Sequence, residues 1–126
     1  GSVNGTATEI AKTVREKRKA RKKRREKREQ KREQKEWERN FKARMAWSAC
    51  QRGAEQKLKA PATAEFAPTY KVRDEPQDGG VWLVKGYVDA KNSFGTKLRL
   101  DVACKLRERK EDDSTFKVVR AEVSQR

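Results

Sequence analysis

From Trp37 onward, apolar residues return at helical intervals. Trp37, Phe41 and Met45 stand four apart, and Trp47, Cys50, Ala54 and Leu58 carry the stripe on. This periodicity predicts an amphipathic helix over residues 37–59 with a surface to cover, and Pro61 closes it. Four strand-like runs follow, at about 66–73, 81–90, 97–107 and 115–123. Asp78-Gly79-Gly80, Asn92-Ser93-Phe94-Gly95 and Glu111-Asp112-Asp113-Ser114 separate them with turn residues. The third run alternates well. Leu98, Leu100, Val102, Cys104 and Leu106 face one side, and Lys97, Arg99, Asp101, Ala103, Lys105 and Arg107 face the other. Such short connections predict an antiparallel meander with the helix laid across its apolar face. The expected fold class is therefore α+β: a long N-terminal helix packed on a four-stranded antiparallel β-meander. Within it, Tyr87 reads as a sheet residue, Gly95 as a hairpin residue with positive φ, and Phe94 as packed against the sheet end.

Upstream of Trp37 the pattern is different. Thr6-Ala7-Thr8-Glu9 fits a capping box, and no Pro or Gly interrupts the chain from there to Gly53. Lys, Arg, Glu, Gln and Ala, all good helix formers, fill the run. Between Lys12 and Glu36 lie 15 basic and 5 acidic residues, with only Val14 and Ala20 apolar. No buried stripe can form from such a segment, so packing is not its purpose. Arg25/Glu29 and Arg32/Glu36 are oppositely charged pairs at helical spacing. The run Arg21–Arg25 is uniformly basic and is expected to fray until an anion binds. Residues 1–36 thus form a basic arm and residues 37–126 an α+β domain, which holds all the aromatics.

Residues 12–36 contribute +10 of the chain's formal +15. Fixed positive charge held in water suits a polyanion, nucleic acid first. The candidate phosphate contacts are Arg15, Lys17, Arg18, Lys19, Arg21, Lys22, Lys23, Arg24, Arg25, Lys27, Arg28, Lys31 and Arg32. At about 1.5 Å per residue, residues 12–36 span about 38 Å, close to one turn of duplex groove. Neutralising about 5–8 phosphates would drive binding by counterion release. With cations all round the helix, little sequence reading is expected of it. The competing reading is a protein-interaction module. There the sheet's outer face or edge strand binds a partner protein, and the charged helix is a spacer or membrane-proximal stalk. A membrane-surface helix would need apolar residues opposite the charges, and a coiled coil would need an a/d seam. No apolar run of about 18 residues occurs, so no integral membrane segment is expected. Nothing near the N-terminus reads as a signal peptide, and the cytoplasm is the expected location.

Catalysis has little to stand on. The chain has no His, so a general base would have to be a perturbed carboxylate or Lys. Asp74/Glu75 and Asp112/Asp113 sit in polar, turn-like contexts. No phosphate-binding glycine loop or dinucleotide fingerprint occurs. Cys50 and Cys104 are too few to ligate zinc, and no cofactor or metal is expected. The two cysteines fall on facing surfaces of helix and sheet. They read either as two small buried thiols or as a disulfide.

Two resemblances extend this picture. Cys50, the run Leu58-Lys59-Ala60-Pro61-Ala62-Thr63-Ala64-Glu65-Phe66, the run from Gly86 to Gly95 (Gly-Tyr-Val-Asp-Ala-Lys-Asn-Ser-Phe-Gly) and Cys104 resemble a small domain of phage and Gram-positive bacterial proteins. The resemblance covers most of residues 46–107. It implies a helix plus an antiparallel sheet, often carried behind a membrane anchor or a zinc ribbon, and hence an extracytoplasmic setting. Here a basic arm stands in the anchor's place. Separately, Arg24-Arg25-Glu26-Lys27-Arg28-Glu29, leading through Gln30 and Gln34 to Trp37, is similar in composition to the arginine-rich antitermination peptides of lambdoid phages. That likeness implies a bent helix on an RNA hairpin, with arginines on phosphates and a tryptophan stacked on a loop base.

Overall fold

The computed structural model describes residues 6–110 and 112–126, with side chains for all of these except 112–114. One helix, α1 (Ala7–Glu55), is followed by five strands: β1 (Glu65–Phe66), β2 (Arg73–Pro76), β3 (Val81–Lys91), β4 (Lys97–Arg109) and β5 (Asp112–Gln125). The fold is α+β with an antiparallel sheet. β1 and β2 pair with different stretches of β3, which pairs with β4, which pairs with β5. The chain divides into two compact units, one ending at Glu38 and the other comprising Arg39–Arg126.

The capping box forms reciprocally. The Glu9 amide donates to Thr6 Oγ1 at 3.3 Å, and the Thr6 amide donates to Glu9 Oε2 at 3.2 Å. This satisfies two helix-start donors that nothing else would. The basic run Arg21–Arg25 lies within the unbroken span of α1, as its residue types favour. At its other end α1 stops at Glu55, four residues short of the expected 59. Lys57 and Leu58 amides bond back to Ala54 and Glu55 carbonyls in tighter three-residue turns. The residues before Pro61 are already steered away from helical backbone.

The number of strands also differs from expectation. The run at 66–73 is not one strand but β1 and β2, separated by a short 3₁₀ turn at Thr69–Lys71. Pro68 has no amide to give the ladder and begins that turn. The sheet therefore has five strands, not four. β5 begins early, at Asp112, inside the expected turn; Glu111 lies outside the described residues.

The helix-facing rows pair as the alternation requires. Trp82 stands opposite Leu106, Val84 opposite Cys104, Gly86 opposite Val102, and Val88 opposite Leu100. On the helix, Ala46, Trp47, Ala49, Cys50 and Ala54 are buried against this face. The covering stripe was expected from Trp37. Trp37 is instead 61 % exposed, and the half-buried positions begin at Phe41.

Trp47 is the centre of the packing. Its indole Nε1 donates to the Ala67 carbonyl at 2.8 Å, and its ring meets Phe66 edge-on at 5.9 Å. Its far edge fills the space above Gly86, where an added Cβ would come within 2.6 Å of the ring. Gly86 is thus a notch cut for the indole. Gly86→Ala is expected to cost about 1–3 kcal/mol by overpacking. Urea unfolding would check this, and an unchanged midpoint would show that the ring moves aside freely.

Cys50 and Cys104 form a disulfide with Cα atoms 5.7 Å apart. Of the two readings open at the sequence level, the bridge is the one observed, and it ties α1 to β4 at the middle of the core. Glu108 closes the upper end. Its Oε1 accepts from Trp82 Nε1 at 3.0 Å and from Lys42 Nζ at 3.3 Å.

Candidate nucleic-acid interface

Every described residue from Thr6 to Asn40 is exposed, so all thirteen candidate phosphate contacts between Arg15 and Arg32 lie on one solvent-washed helix. The helical backbone does more than line them up. At 100° per residue, Arg18, Arg21, Arg25, Arg28 and Arg32 repeat at alternating steps of three and four, and fall within roughly 80° of arc over about 21 Å. Arg21, Arg24, Arg25 and Arg28 enclose a shallow concavity between their side chains. Glu16, Glu26 and Glu33 lie on the opposite half of the helix, while Glu29 and Glu36 border the arginine face on one side only. The lysines are distributed round the whole circumference. A uniform basic cylinder was expected; five of the seven arginines of residues 12–36 instead form one stripe, legible in the sequence as a heptad-like spacing of one residue type.

The ion pairs separate arm from domain. The six found among the described residues all lie within Arg39–Arg126: Lys42–Glu108, Arg73–Glu75, Lys97–Glu65, Arg99–Asp89, Arg120–Glu122 and Arg126–Asp101. No cation of residues 12–36 has a carboxylate within 4.0 Å among the described residues, the helical pairs Arg25/Glu29 and Arg32/Glu36 included. The domain's cations are partly neutralised where they stand, and the arm's are not.

On the sheet's outer face Arg99 forks onto Asp89, with Nε and Nη2 at 2.9 and 3.0 Å from the two carboxylate oxygens. Its guanidinium also lies 3.9 Å above the Tyr87 ring. The Arg99 hydrogen bond holds the Asp89 carboxyl below its ordinary pKa. Tyr87 is therefore a sheet residue, as expected, and its ring face is already occupied by Arg99.

The remaining sequence candidates are dispersed. Asp74 and Glu75 lie on β2, with Glu75 paired to Arg73. Asp112 and Asp113 open β5. The hairpin between β3 and β4 turns at Gly95, φ +80°, with Asn92 Oδ1 accepting from the Phe94 and Thr96 amides. Phe94 at its tip is 90 % exposed and does not pack on the sheet end, because the Asn92 turn points that position outward. Among the described residues, no group of three or more acidic or Cys side chains is placed to hold a metal ion, and no helix is long and apolar enough to cross a membrane. No protein-family model, curated protein or solved structure matches the chain.

Proposed function

We propose that the protein is a non-enzymatic nucleic-acid-binding protein of phage or bacterial origin, with its basic helix lying on the phosphate backbone. The observation that carries the reading is the contrast in charge pairing: among the described residues none of the 15 cations of residues 12–36 has a carboxylate partner, while six of the domain's 19 do. Arginine presents a planar fork that fits phosphate in two-point fashion, and lysine adds point charge. The arginine stripe faces the strand, covering about six phosphates at about 3.4 Å of axial rise per nucleotide. The lysines and glutamates of the other faces keep the helix soluble and weakly steer it. The α+β unit gives the arm a folded anchor. The Cys50–Cys104 bridge favours an oxidising compartment over the reducing cytoplasm, and the phosphate argument holds in either.

The test is a titration of the full chain with labelled duplex DNA, a DNA single strand and an RNA hairpin across a salt series. Affinity should fall steeply with salt, with a log–log slope of about −4 to −7 on duplex. A slope near zero, or no binding at about 50 mM salt, would sink the proposal. The RNA arm decides whether the likeness to antitermination peptides extends to their ligand.

A further inference from the structure

A second cationic surface lies within the folded unit. The last turns of α1 and the strand β5 enclose an open groove of about 950 Å³. Its floor is small and apolar: Ala49, Gly53, Val118 and Ala121. Gly53 makes the floor shallow, because a Cβ there would stand 3.1–3.2 Å from Val118 and Ala121. A glycine inside a helix costs about 1 kcal/mol against alanine, so its presence marks the close approach of helix and strand. The walls carry Arg52, Lys57, Arg109, Lys117 and Arg120. Among the described lining residues Glu122 is the one carboxylate, and Arg120 already pairs with it. The other four cations have no carboxylate within 4 Å among the described residues.

β5 is also the last strand in the sheet order, 14 residues long, with β4 as its one neighbour among the described residues. Its outward-pointing amides and carbonyls form a row that a further strand could complete. The register skips Val119, with Lys105 opposite Arg120 and Leu106 opposite Val118. This bulge leaves Val119 half exposed. The chain's net charge of +15 weighs against a second copy of itself as the added strand.

We infer that this groove receives an extended acidic polypeptide, added as a strand along β5, with its carboxylates on Arg52, Lys57, Arg109 and Lys117. Backbone pairing supplies the register; side chains turned toward α1 meet the apolar floor and its Arg52 and Lys57 rim, and those turned the other way meet Lys117. None of the lining residues belongs to the arm, and docking there does not depend on the arm's ligand. A nucleic-acid strand fits it less well. Phe116, the one aromatic among the described lining residues, is buried, so bases find no stacking platform on them.

The test is amide hydrogen exchange on the isotopically labelled full chain with three 12-residue peptides: alternating Glu-Val, alternating Glu-Pro and alternating Lys-Val. The Glu-Pro peptide has the same charge as Glu-Val but cannot complete a ladder, so it accounts for any charge-only binding by the arm. Glu-Val is expected to slow exchange at least 10-fold at those β5 amides between Lys117 and Val123 that point away from β4. The Glu-Pro and Lys-Val peptides should leave them unchanged. A full-length Arg52→Glu/Lys57→Glu variant should lose that protection while keeping its nucleic-acid affinity within about 2-fold. Unchanged β5 exchange with Glu-Val would overturn the inference, as would equal protection by Glu-Pro, by Lys-Val or by a 12-nucleotide oligo-dT.

Discussion

Replacing Arg18, Arg21, Arg25 and Arg28 with Gln is expected to weaken duplex DNA binding by about 100-fold or more near 100 mM salt. The log–log salt slope should become shallower by about 3.6, at about 0.9 for each lost phosphate contact. Glutamine keeps helix propensity close to that of arginine, so the helix should survive and only the charge and the fork are removed. The informative control carries the same change in net charge. Lys12, Lys19, Lys23 and Lys27 lie on the opposite half of the helix from the arginine stripe, and their replacement with Gln should cost no more than about 10-fold. Fluorescence anisotropy on both variants at three salt concentrations decides the matter. Equal losses would mean that the arm acts as a featureless cation and that the stripe has no role. No loss in either variant would end the nucleic-acid reading altogether.

The second large effect concerns the core. Removing the Cys50–Cys104 bridge by Cys50→Ala/Cys104→Ala should destabilise the folded unit by about 4 kcal/mol. That figure follows from the loop closed by residues 54 apart in sequence in the chain-entropy account. For a unit of this size the thermal midpoint should fall by roughly 15–30 °C. The bridge is buried, with Cys50 at 0 % and Cys104 at 4 % exposure, so reductant should act slowly on the native protein and rapidly once it is unfolded. Differential scanning calorimetry with and without reductant measures both. A change below about 1 kcal/mol would mean that Trp47, Gly86 and the Glu108 contacts hold the unit without the bridge. Arm binding should be unaffected by the double substitution, which separates stability from the phosphate surface.

Much of the domain could be read from local periodicity. The alternation from Leu98 to Leu106 predicted both the strand and its buried side, and the buried residues Val102, Cys104 and Leu106 stand where it put them. The Asn92–Gly95 turn and the Thr6–Glu9 box were equally legible, since each is a bargain struck between residues within four positions of one another. Errors arose where one residue answered to something distant. Trp37 continues a stripe by spacing, yet it is 61 % exposed, because spacing alone cannot say how far along a helix the sheet extends. Pro68 was visible, but its effect on the pairing of residues 66–73 depended on which amides β3 required. Glu108 looked like one charge among many. It is instead half buried between Trp82 and Lys42, and nothing in its immediate neighbourhood announces that.

The amino-acid order was enough to establish a cationic helix with no apolar side, a helix-plus-antiparallel-sheet class, and the inward row of β4. Each of these depends on repeat spacing and on charge, and both are properties of short stretches of chain. The arginine stripe belongs here too, since helical geometry turns its spacing into a face. Three-dimensional packing was needed for the rest: the Cys50–Cys104 bond, the notch that Gly86 offers Trp47, and the cationic groove beside β5. Those features join residues 39 or more positions apart, and the energy of such contacts depends on where the backbone brings the partners, which no local pattern specifies.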